Sequence, residues 1–345
     1  MSRRPNILVV GSFMMDLTAT TNRAPQAGET VTGIKFQTAP GGKGANQAVQ
    51  CARLGAQVTM VGCVGDDTFG TCLRETVANA GVDISHVKVD PTECSGVGHI
   101  LVERTSSGVQ NRITICPGAN LRLTVDDVRW LETEIGQYDL VMLQFELPMA
   151  VNEAVAGWAS RAAVPVMVNP APAAPISPEL CSCTTYLTPN ETEAALLSGV
   201  QVRSTEEGID VTDAAQSLHT LGVKNLIITL GARGAALWED GAEELRNIPC
   251  IQAPQVADPT AAGDSFVAAF SVGVCTGLAF REAAVFASYT AALTVSKAGA
   301  IPSLPDLQAV AAFMEERGAE PALREKINQM QQAQDSGARR YLYVG

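Results

Sequence analysis

Short apolar runs alternate along the chain with segments of helical periodicity. Runs of three to five mostly apolar residues predict six buried strands, at Ile7–Val10, Val58–Val61, Leu140–Gln144, Val166–Asn169, Tyr186–Thr188 and Leu226–Leu230. Apolar residues spaced three and four apart predict helices between them, at Ala45–Leu54, Phe69–Ala80, Val125–Ile135, Met149–Ala162, Glu191–Leu197 and Val211–Leu221. This alternation is typical of the α/β class, in which helices cover both faces of a mostly parallel sheet.

Two regions, Glu29–Thr38 and Gly96–Cys116, read as β structure without intervening helices. The second contains two alternating runs around Ser106-Ser107-Gly108, which is a hairpin signal. We therefore expect a small second sheet, a β-lid from about 17–40 and 95–118, on an α/β domain spanning 1–317. Because a small sheet cannot bury two faces alone, it should cover a cleft, pair with a second subunit, or do both. The polar, Gln-rich segment 318–345 is predicted to be a tail that frays.

Composition excludes several functions. The 345 residues include 24 basic and 36 acidic side chains, a net charge of −12, so we expect no nucleic-acid partner. The longest apolar stretch, Phe266–Phe280, is too short to span a bilayer and predicts a core helix, so no membrane partner is expected. Residues 3–15 imitate a signal peptide but lack a small-residue cleavage site, which favours a buried first strand. Nine scattered cysteines without zinc spacing favour reduced thiols and a cytoplasmic protein.

Several catalytic motifs are missing from the sequence. It contains no GxxxxGK[ST] phosphate loop, no GxGxxG dinucleotide fingerprint, no HExxH and no GxSxG. The sequence therefore gives no support for a P-loop enzyme, a zinc hydrolase or a Ser-His-Asp hydrolase.

A glycine-rich segment, Gly41-Gly42-Lys43-Gly44-Ala45-Asn46-Gln47-Ala48, precedes a predicted helix. Glycines permit close backbone approach, and the start of the helix offers free N–H groups. Lys43 and Asn46 would direct polar groups at a ligand there. Taken alone, a glycine-rich turn with a solvent-facing lysine explains the segment equally well.

The segment Asp258-Pro259-Thr260-Ala261-Ala262-Gly263-Asp264 runs into an apolar helix predicted at Val267–Leu278. Its Ala-Ala-Gly sequence leaves the helix start without a blocking side chain, so successive N–H groups and the helix dipole suit a transferring phosphoryl group. Asp264, in the first turn, could accept a proton from a hydroxyl. The alternative is that Asp264 only complements the dipole, but that role would not require the bare Ala-Ala-Gly.

Three weaker segments lie at predicted strand ends, where open α/β sheets bind ligands. They are Gly11–Asp16 (GSFMMD), the NxxE element in Pro189–Glu193, and the glycine-rich turn Thr229–Gly234. Acidic residues at helix starts are common, so the NxxE element is weak evidence by itself.

The order of these elements resembles the PfkB-type carbohydrate kinase family. The resemblance runs from Ile7 to Pro305 through GSxxxD, GGKGANQA, a strand-end Glu146, NPAPA (Asn169–Ala173), PNETEA, TLGxRG and DxTAAGD. It implies a ribokinase-like three-layer α/β sandwich with a mostly parallel central sheet and a small β-sheet lid. GGKGANQA and the NPAPA–PNETEA pair point, within the family, to its ribose kinases.

The resemblance implies ATP-dependent phosphorylation of the 5-hydroxyl of D-ribose, giving ribose 5-phosphate and ADP. ATP, Mg²⁺ and K⁺ are the implied cofactors, and a homodimer formed through the β-lid is the implied assembly. One alternative is a deoxyribokinase or another sugar or nucleoside kinase of the family. The other, from a different class, is a non-catalytic sugar- or nucleotide-binding regulator; the intact base, anion hole and NxxE disfavour it.

The resemblance also assigns roles to residues. The sugar hydroxyls would be held by Asp16, Gly42, Lys43, Asn46 and Glu146. Asp264 would be the base, and the anion hole would be formed by Ala261, Ala262 and Gly263. The nucleotide would lie along Asn190, Thr229, Gly231, Gly234, Gly263 and Ser288. Glu193 would help to place Mg²⁺ through water, and K⁺ would be bound by Asp258, Thr260, Thr294, Lys297, Gly299 and Ser303.

Two positions depart from the family pattern. Pro259 stands where threonine is usual and has no N–H to contribute, but the neighbouring amides remain. Met14 stands where many bacterial members carry an asparagine that touches a sugar hydroxyl. Losing one hydroxyl partner is worth about 1–3 kcal/mol, so discrimination between ribose and 2-deoxyribose is expected to be modest.

Overall fold

A computed structural model of the protein describes residues 4–105, 108–205 and 208–341. The strands are β1 (Asn6–Val10), β2 (Met14–Thr21), β3 (Lys35–Gly41), β4 (Gln57–Gly65), β5 (Asp83–Asp90), β6 (Val97–Thr105), β7 (Gly108–Cys116), β8 (Leu140–Gln144), β9 (Val166–Asn169), β10 (Tyr186–Leu187), β11 (Arg203–Thr205), β12 (Gly208–Asp210), β13 (Asn225–Thr229), β14 (Ala235–Trp238) and β15 (Arg246–Ile248). The helices are α1 (Lys43–Arg53), α2 (Thr68–Asn79), α3 (Leu131–Glu134), α4 (Met149–Arg161), α5 (Pro178–Cys183), α6 (Glu191–Ser198), α7 (Thr212–Thr220), α8 (Ala262–Cys275), α9 (Phe280–Thr294), α10 (Leu307–Glu316) and α11 (Pro321–Tyr341). Short 3₁₀ helices lie at Gly118–Arg122, Ile135–Gln137, Gly231–Arg233 and Ile301–Ser303.

The main sheet has nine strands in the order β15-β14-β13-β10-β9-β8-β1-β4-β5. Strand β1 is central and pairs in parallel with β4 and β8, while β14 and β15 are antiparallel additions at one edge. Ile7 and Val9 pack into one hydrophobic cluster with residues of α1, α8 and α9, and Leu8 and Val10 pack into a second on the opposite face. This alternation confirms the predicted three-layer fold.

A second sheet, which we call the lid, has four strands in the order β3-β2-β6-β7. It is mixed, since β2 and β6 run parallel and the outer pairs are antiparallel. The β structure predicted at Glu29–Thr38 begins later than expected, because β3 starts only at Lys35. Ser106 and Ser107, at the predicted hairpin turn, lie outside the described residues.

The predicted helix Val125–Ile135 is wrong for most of its length. Thr124 and Asp127 form a reciprocal cap at its start, with the Thr124 N–H 2.8 Å from Asp127 Oδ2. The following amides bond to the third preceding carbonyl, as in Val128 to Val125 (3.3 Å), so the segment winds as tight turns until α3.

The segment from Gly318, predicted to fray, instead contains the long helix α11. Leu323 and Ile327 are buried against the core, and the Lys326 ammonium lies 2.7 Å from the Glu282 carboxylate at the start of α9. The sequence does contain signals for this helix. They are Pro321 at the first helical position and apolar residues spaced four and three apart at Leu323, Ile327 and Met330. Residues 342–345 lie outside the described part.

No helix within the described residues is both long and apolar enough to cross a membrane. All nine cysteines lie in the described ranges and carry free thiols, as predicted.

Candidate active site

Five parallel strands, β1, β8, β9, β10 and β13, end along one edge of the main sheet, and a cleft opens there. Its volume is about 130 Å³. It is lined by Lys43, Asn169, Ala171, Thr188, Asn190, Glu193, Thr229, Ala261, Gly263, Asp264 and Val267. The carboxyl edge of a parallel sheet is the position at which α/β proteins bind ligands.

Glycines bring the start of α1 against the end of β1. Gly42 has φ 98°, and a Cβ there would lie 2.7 Å from the Met14 nitrogen. A Cβ on Gly44 would lie 2.4 Å from the Ser12 nitrogen. Any larger residue at either position would push α1 away from the sheet, so the glycines place Lys43 and Asn46 in the site.

The Lys43 ammonium sits among carboxylates. Burial alone would lower its pKa, but the negative charges of Asp264, Glu146 and Glu193 outweigh burial and raise the pKa. Lys43 therefore lines the cleft as a cation.

Asp264 lies in the first turn of α8 and is only 7% exposed. Two amides of α1 donate to its carboxylate: Asn46 Nδ2 lies 2.8 Å from Oδ2, and Gln47 Nε2 lies 3.1 Å from Oδ1. A buried carboxylate held by neutral donors on the wall of a cleft can accept a proton from a bound hydroxyl.

The start of α8 leaves backbone amides facing the cleft. No side chain caps the helix, and a Cβ added to Gly263 would meet no atom within 4 Å. The Ala262 amide donates to the Pro259 carbonyl at 3.2 Å, so of the three predicted anion-hole residues Ala261 and Gly263 are left with open amides within the described structure. Ala261 adopts a left-handed conformation, with φ 61°, which is uncommon for alanine.

Asp16 and Glu146 form an acidic group beside Lys43. Burial raises the pKa of the Asp16 carboxyl to about 6, with further contributions from the charges of Glu146 and Asp264. Burial also raises the pKa of Glu146, whose Oε2 accepts hydrogen bonds from the Ser12 hydroxyl and from the Lys43 N–H at 3.1 Å.

Asn46 completes this acceptor cluster. Its Oδ1 is buried and finds no hydrogen-bond partner within the described chain. A Cβ on Gly41 would lie 3.6 Å from that oxygen and 3.3 Å from Asp16 Oδ2, so both oxygens converge over the same glycine. A buried acceptor without a partner, close to the Asp16 carboxylate, suits a ligand that offers hydroxyl groups.

Met14, the residue that departs from the family pattern, is 4% exposed at the start of β2. Its sulfur lies 4.0 Å from Asn120 Nδ2, and a Cβ on Gly96 would lie 2.7 Å from it. The structure thus buries this apolar side chain against Asn120 and Gly96.

Four residues predicted to bind the nucleotide or magnesium line the cleft: Asn190, Thr229, Gly263 and Glu193. Asn190 and Glu193 form a capping box at the start of α6, with reciprocal hydrogen bonds of 2.8 Å. The backbone of Asn190 also pairs in parallel with that of Thr229 at the end of β13. Burial raises the pKa of Glu193. Glu193 therefore has both a structural role as a helix cap and a side chain facing the cleft beside Lys43 and Asp264.

The other three residues predicted to bind the nucleotide, Gly231, Gly234 and Ser288, do not line this cleft. Gly231 and Gly234 lie in the turn after β13, and a Cβ on Gly234 would lie 2.0 Å from the Ile248 carbonyl. Ser288 lies on α9, where its hydroxyl donates to the Ala284 carbonyl at 3.0 Å.

Asp258 joins two loops next to the start of α8. Its Oδ1 accepts from the Thr260 N–H at 2.9 Å and the Thr260 hydroxyl at 2.6 Å, and its Oδ2 accepts from the Gly299 N–H at 2.9 Å. Although burial acts to raise it, these bonds outweigh burial and lower the pKa of Asp258.

The other predicted cation residues surround this pair of loops. Thr294 is buried and donates to the Ser265 hydroxyl on α8 at 2.7 Å, and the Ser303 hydroxyl donates to the Ala300 carbonyl at 2.8 Å. Lys297 is exposed.

Four polar residues that the sequence assigned to no role take part in the site. Ser12 bonds Glu146, Gln47 bonds Asp264, Gln144 bonds Gln47, and Asn169 lines the cleft. Ser12, Gln47 and Asn169 lie within the motifs GSxxxD, GGKGANQA and NPAPA. Their contacts in the site depend on packing between elements that are distant in sequence.

The fold and cleft define the class of small-molecule kinases, with a carboxylate and bare helix amides at the carboxyl edge of a parallel sheet. The chain belongs to the pfkB family of carbohydrate kinases, whose sequence model matches residues 4–307. It is 38% identical to a ribokinase of Haemophilus influenzae over 312 residues, covering 90% of this chain and 99% of the relative. It is 39% identical to a ribokinase of Schizosaccharomyces pombe over 310 residues, covering 88% and 95%.

The same likeness holds in three dimensions. The structure of Arabidopsis thaliana ribokinase complexed with ribose and ATP superimposes with a TM-score of 0.79 at 35% identity. The match covers 91% of this chain and 99% of that one.

Proposed function

We propose that the protein transfers the γ-phosphoryl group of ATP to the 5-hydroxyl of D-ribose, giving ribose 5-phosphate and ADP. The observation that carries the proposal is Asp264, a buried carboxylate facing the same cleft as the open amide of Gly263. Asp264 would take the proton of the attacking hydroxyl while the amides at the start of α8 stabilise the phosphoryl group. The sugar and nucleotide bound by the Arabidopsis relative support this choice of substrates.

The acceptor cluster supports a polyol as the acceptor substrate. Asp16, Glu146 and Asn46 offer oxygens that hydroxyl groups can satisfy, and Lys43 offers a donor. These groups would fix the sugar so that one hydroxyl lies at Asp264, which gives the proximity contribution to the rate.

Mg²⁺ fits the carboxylate of Glu193, because magnesium prefers oxygen ligands and keeps several waters. Bound with the nucleotide, it would neutralise charge on the β- and γ-phosphates. Glu193 would hold it through water while its cap on α6 keeps the carboxylate in place.

K⁺ fits the oxygen-rich loops joined by Asp258, with Thr260, Thr294, Lys297, Gly299 and Ser303 contributing mainly backbone carbonyls. A cation there would order the turn that carries Ala261. Replacing K⁺ with tetramethylammonium, which is too large for such loops, should lower turnover; equal turnover would contradict the site.

The lid supports a homodimer, since it carries large exposed apolar residues: Phe36 is 64% and Ile113 is 56% exposed. A second copy pairing with the lid would remove both side chains from water. The nine free thiols support a cytoplasmic location.

The direct test is Asp264→Asn. Ribose and ATP binding by calorimetry should survive, while kcat should fall by about 10²–10⁴, as is typical for loss of a general base. Unchanged turnover would remove Asp264 from the mechanism. A wild-type protein that is inert with ATP, Mg²⁺, K⁺ and a panel of pentoses, hexoses and nucleosides would favour a non-catalytic regulator.

Met14 favours a second candidate substrate, 2-deoxyribose. The apolar side chain offers no hydrogen bond to a hydroxyl, so loss of the 2-hydroxyl should matter little there. The ratio of kcat/KM for ribose and deoxyribose should lie well below about 10⁴, the range reached by sites built to bond a hydroxyl. A higher ratio would exclude this candidate.

A further inference from the structure

Gln47, on the first turns of α1, is fully buried and touches the carboxylate of Asp264. Its Nε2 lies 3.1 Å from Asp264 Oδ1 and 3.2 Å from Asn169 Oδ1. Asn46, the preceding residue, bonds the other oxygen, Oδ2, at 2.8 Å. The carboxylate is therefore held on both oxygens by two consecutive residues of α1.

The orientation of the Gln47 amide is fixed by its neighbours. Gln144 Nε2 donates to Gln47 Oε1 at 2.7 Å, which leaves the Gln47 nitrogen to face Asp264. On the other side, Asn169 Nδ2 donates to the Thr188 backbone carbonyl at 2.9 Å, so Asn169 Oδ1 must accept from Gln47. The Thr188 backbone carbonyl, acting through Asn169, thus defines which atom of Gln47 meets the carboxylate.

Close packing allows this chain of amides to exist. A Cβ on Gly11 would lie 2.2 Å from Gln144 Oε1 and 2.6 Å from the Gly44 Cα, so glycine is needed where α1 meets the sheet. Asn152 Nδ2 in turn donates to the Gln144 carbonyl at 2.8 Å. The network joins α4, β8, α1 and α8 beneath the cleft.

We propose that Gln47 is a positioning residue that holds the carboxylate of Asp264 in the orientation needed to accept the proton of the sugar hydroxyl. This rests on the proposed role of Asp264 as the base. Without the Gln47 amide, the carboxylate would keep only its bond to Asn46 and could rotate about its side-chain torsions. A displaced base raises the barrier without removing any group that binds sugar or nucleotide, and misplacement by about 1 Å costs up to about 10²-fold in rate.

The test compares Gln47→Met with Gln50→Met. Both glutamines are fully buried on α1, and methionine keeps the length of the side chain while removing the amide. Gln50 donates to the Pro305 carbonyl at 2.8 Å and accepts from Ser265 at 3.2 Å, but does not contact Asp264 in the described structure. Each change leaves buried polar groups without a hydrogen-bond partner, so both variants should lose thermal stability to a similar degree.

The expected result is a split between kcat and KM. Gln47→Met should lower kcat by about 10–100-fold with KM for sugar and ATP within about threefold of wild type, whereas Gln50→Met should keep kcat within about threefold. Gln144→Met, which frees the Gln47 amide without removing it, should lower kcat by less than Gln47→Met. Unchanged kcat in Gln47→Met, or an equal fall in Gln50→Met, would overturn the proposal.

The kinetic comparison uses whichever sugar the wild-type protein phosphorylates best. If the wild type phosphorylates none, the proposed function fails, and crystal structures of wild type and Gln47→Met then decide the inference separately. A rotated Asp264 carboxylate in the variant supports a positioning role, and an unmoved carboxylate overturns it.

Discussion

A single alanine, Ala261, adopts a conformation that favours glycine where the chain turns into α8. Left-handed backbone costs a non-glycine residue roughly 1–2 kcal/mol. Ala163, in the turn after α4, has φ 56° and provides a matched control far from the cleft.

We therefore expect Ala261→Gly and Ala163→Gly each to change the free energy of unfolding by no more than about 1 kcal/mol, because relief of strain opposes the added flexibility of the unfolded chain. Only Ala261→Gly should lower kcat, since a looser turn no longer holds the Gly263 amide in place. Urea unfolding and steady-state kinetics measure the two effects. Equal kcat values in all three proteins would show that this conformation is incidental to turnover.

Asp16 carries a cost in stability. Its pKa is raised to about 6 in the folded protein from 3.8, so the folded state favours the protonated form. Compared with a neutral side chain at this position, Asp16 therefore costs no stability below about pH 4. The free energy of unfolding falls as the pH rises through about 6, because the buried carboxyl group then becomes charged.

Asp16→Asn should accordingly raise the melting temperature at pH 8, and the gain should vanish near pH 4. Sugar KM should rise, because an amide presents one acceptor oxygen where the carboxylate presents two. Differential scanning calorimetry across this pH range is the measurement. A gain in melting temperature that does not vary with pH would mean that charge burial is not its cause.

Local sequence predicted part of the candidate site. Asp264, Lys43 and Asn46 stand in motifs whose spacing places them at a helix start, which local sequence can reveal. Gln47 and Gln144 could not be assigned, because a buried glutamine acquires its role only when two segments about 97 residues apart meet.

At the scale of elements, strands were predicted best. Leu140–Gln144 and Val166–Asn169 match β8 and β9 at both ends, because fully buried parallel strands are continuous apolar runs. Segments whose structure depends on tertiary contacts were predicted poorly. Val125–Ile135 is apolar at helical spacing yet winds as turns, and α11 looks polar because only one narrow stripe is buried.

That stripe makes α11 part of the folded core. Ile327→Ala should lower the free energy of unfolding by about 2–5 kcal/mol, as for other buried large-to-small changes. Glu325→Ala, on the exposed face of the same helix, should stay within about 0.5 kcal/mol. Chemical denaturation measures both. Similar small values for the two variants would return the segment to the fraying tail that its composition indicated.

At the scale of the whole molecule, the fold class followed from the alternation of strands and helices, whereas the proposed dimer rests on the exposed surface of the lid. Phe36 on β3 and Ile113 on β7 lie on the two outer strands, which have free edges in the described chain.

Phe36→Glu combined with Ile113→Glu should convert the proposed dimer to a monomer, because two buried carboxylates would face an apolar interface. Leu196→Glu is the control, since Leu196 is 67% exposed on α6, away from the lid. Analytical ultracentrifugation gives the mass of each protein. A wild type that sediments as a monomer, or a double variant that stays dimeric, would contradict pairing through these strands.

The grouping of Lys43 with three acidic side chains has a consequence for the order of events in the cell. On the proposed function, the three carboxylates near Lys43 would repel a bare triphosphate, so we expect the nucleotide to bind together with Mg²⁺. Turnover would then depend on the supply of free divalent metal, and a shortage of metal would halt it even where nucleotide is plentiful.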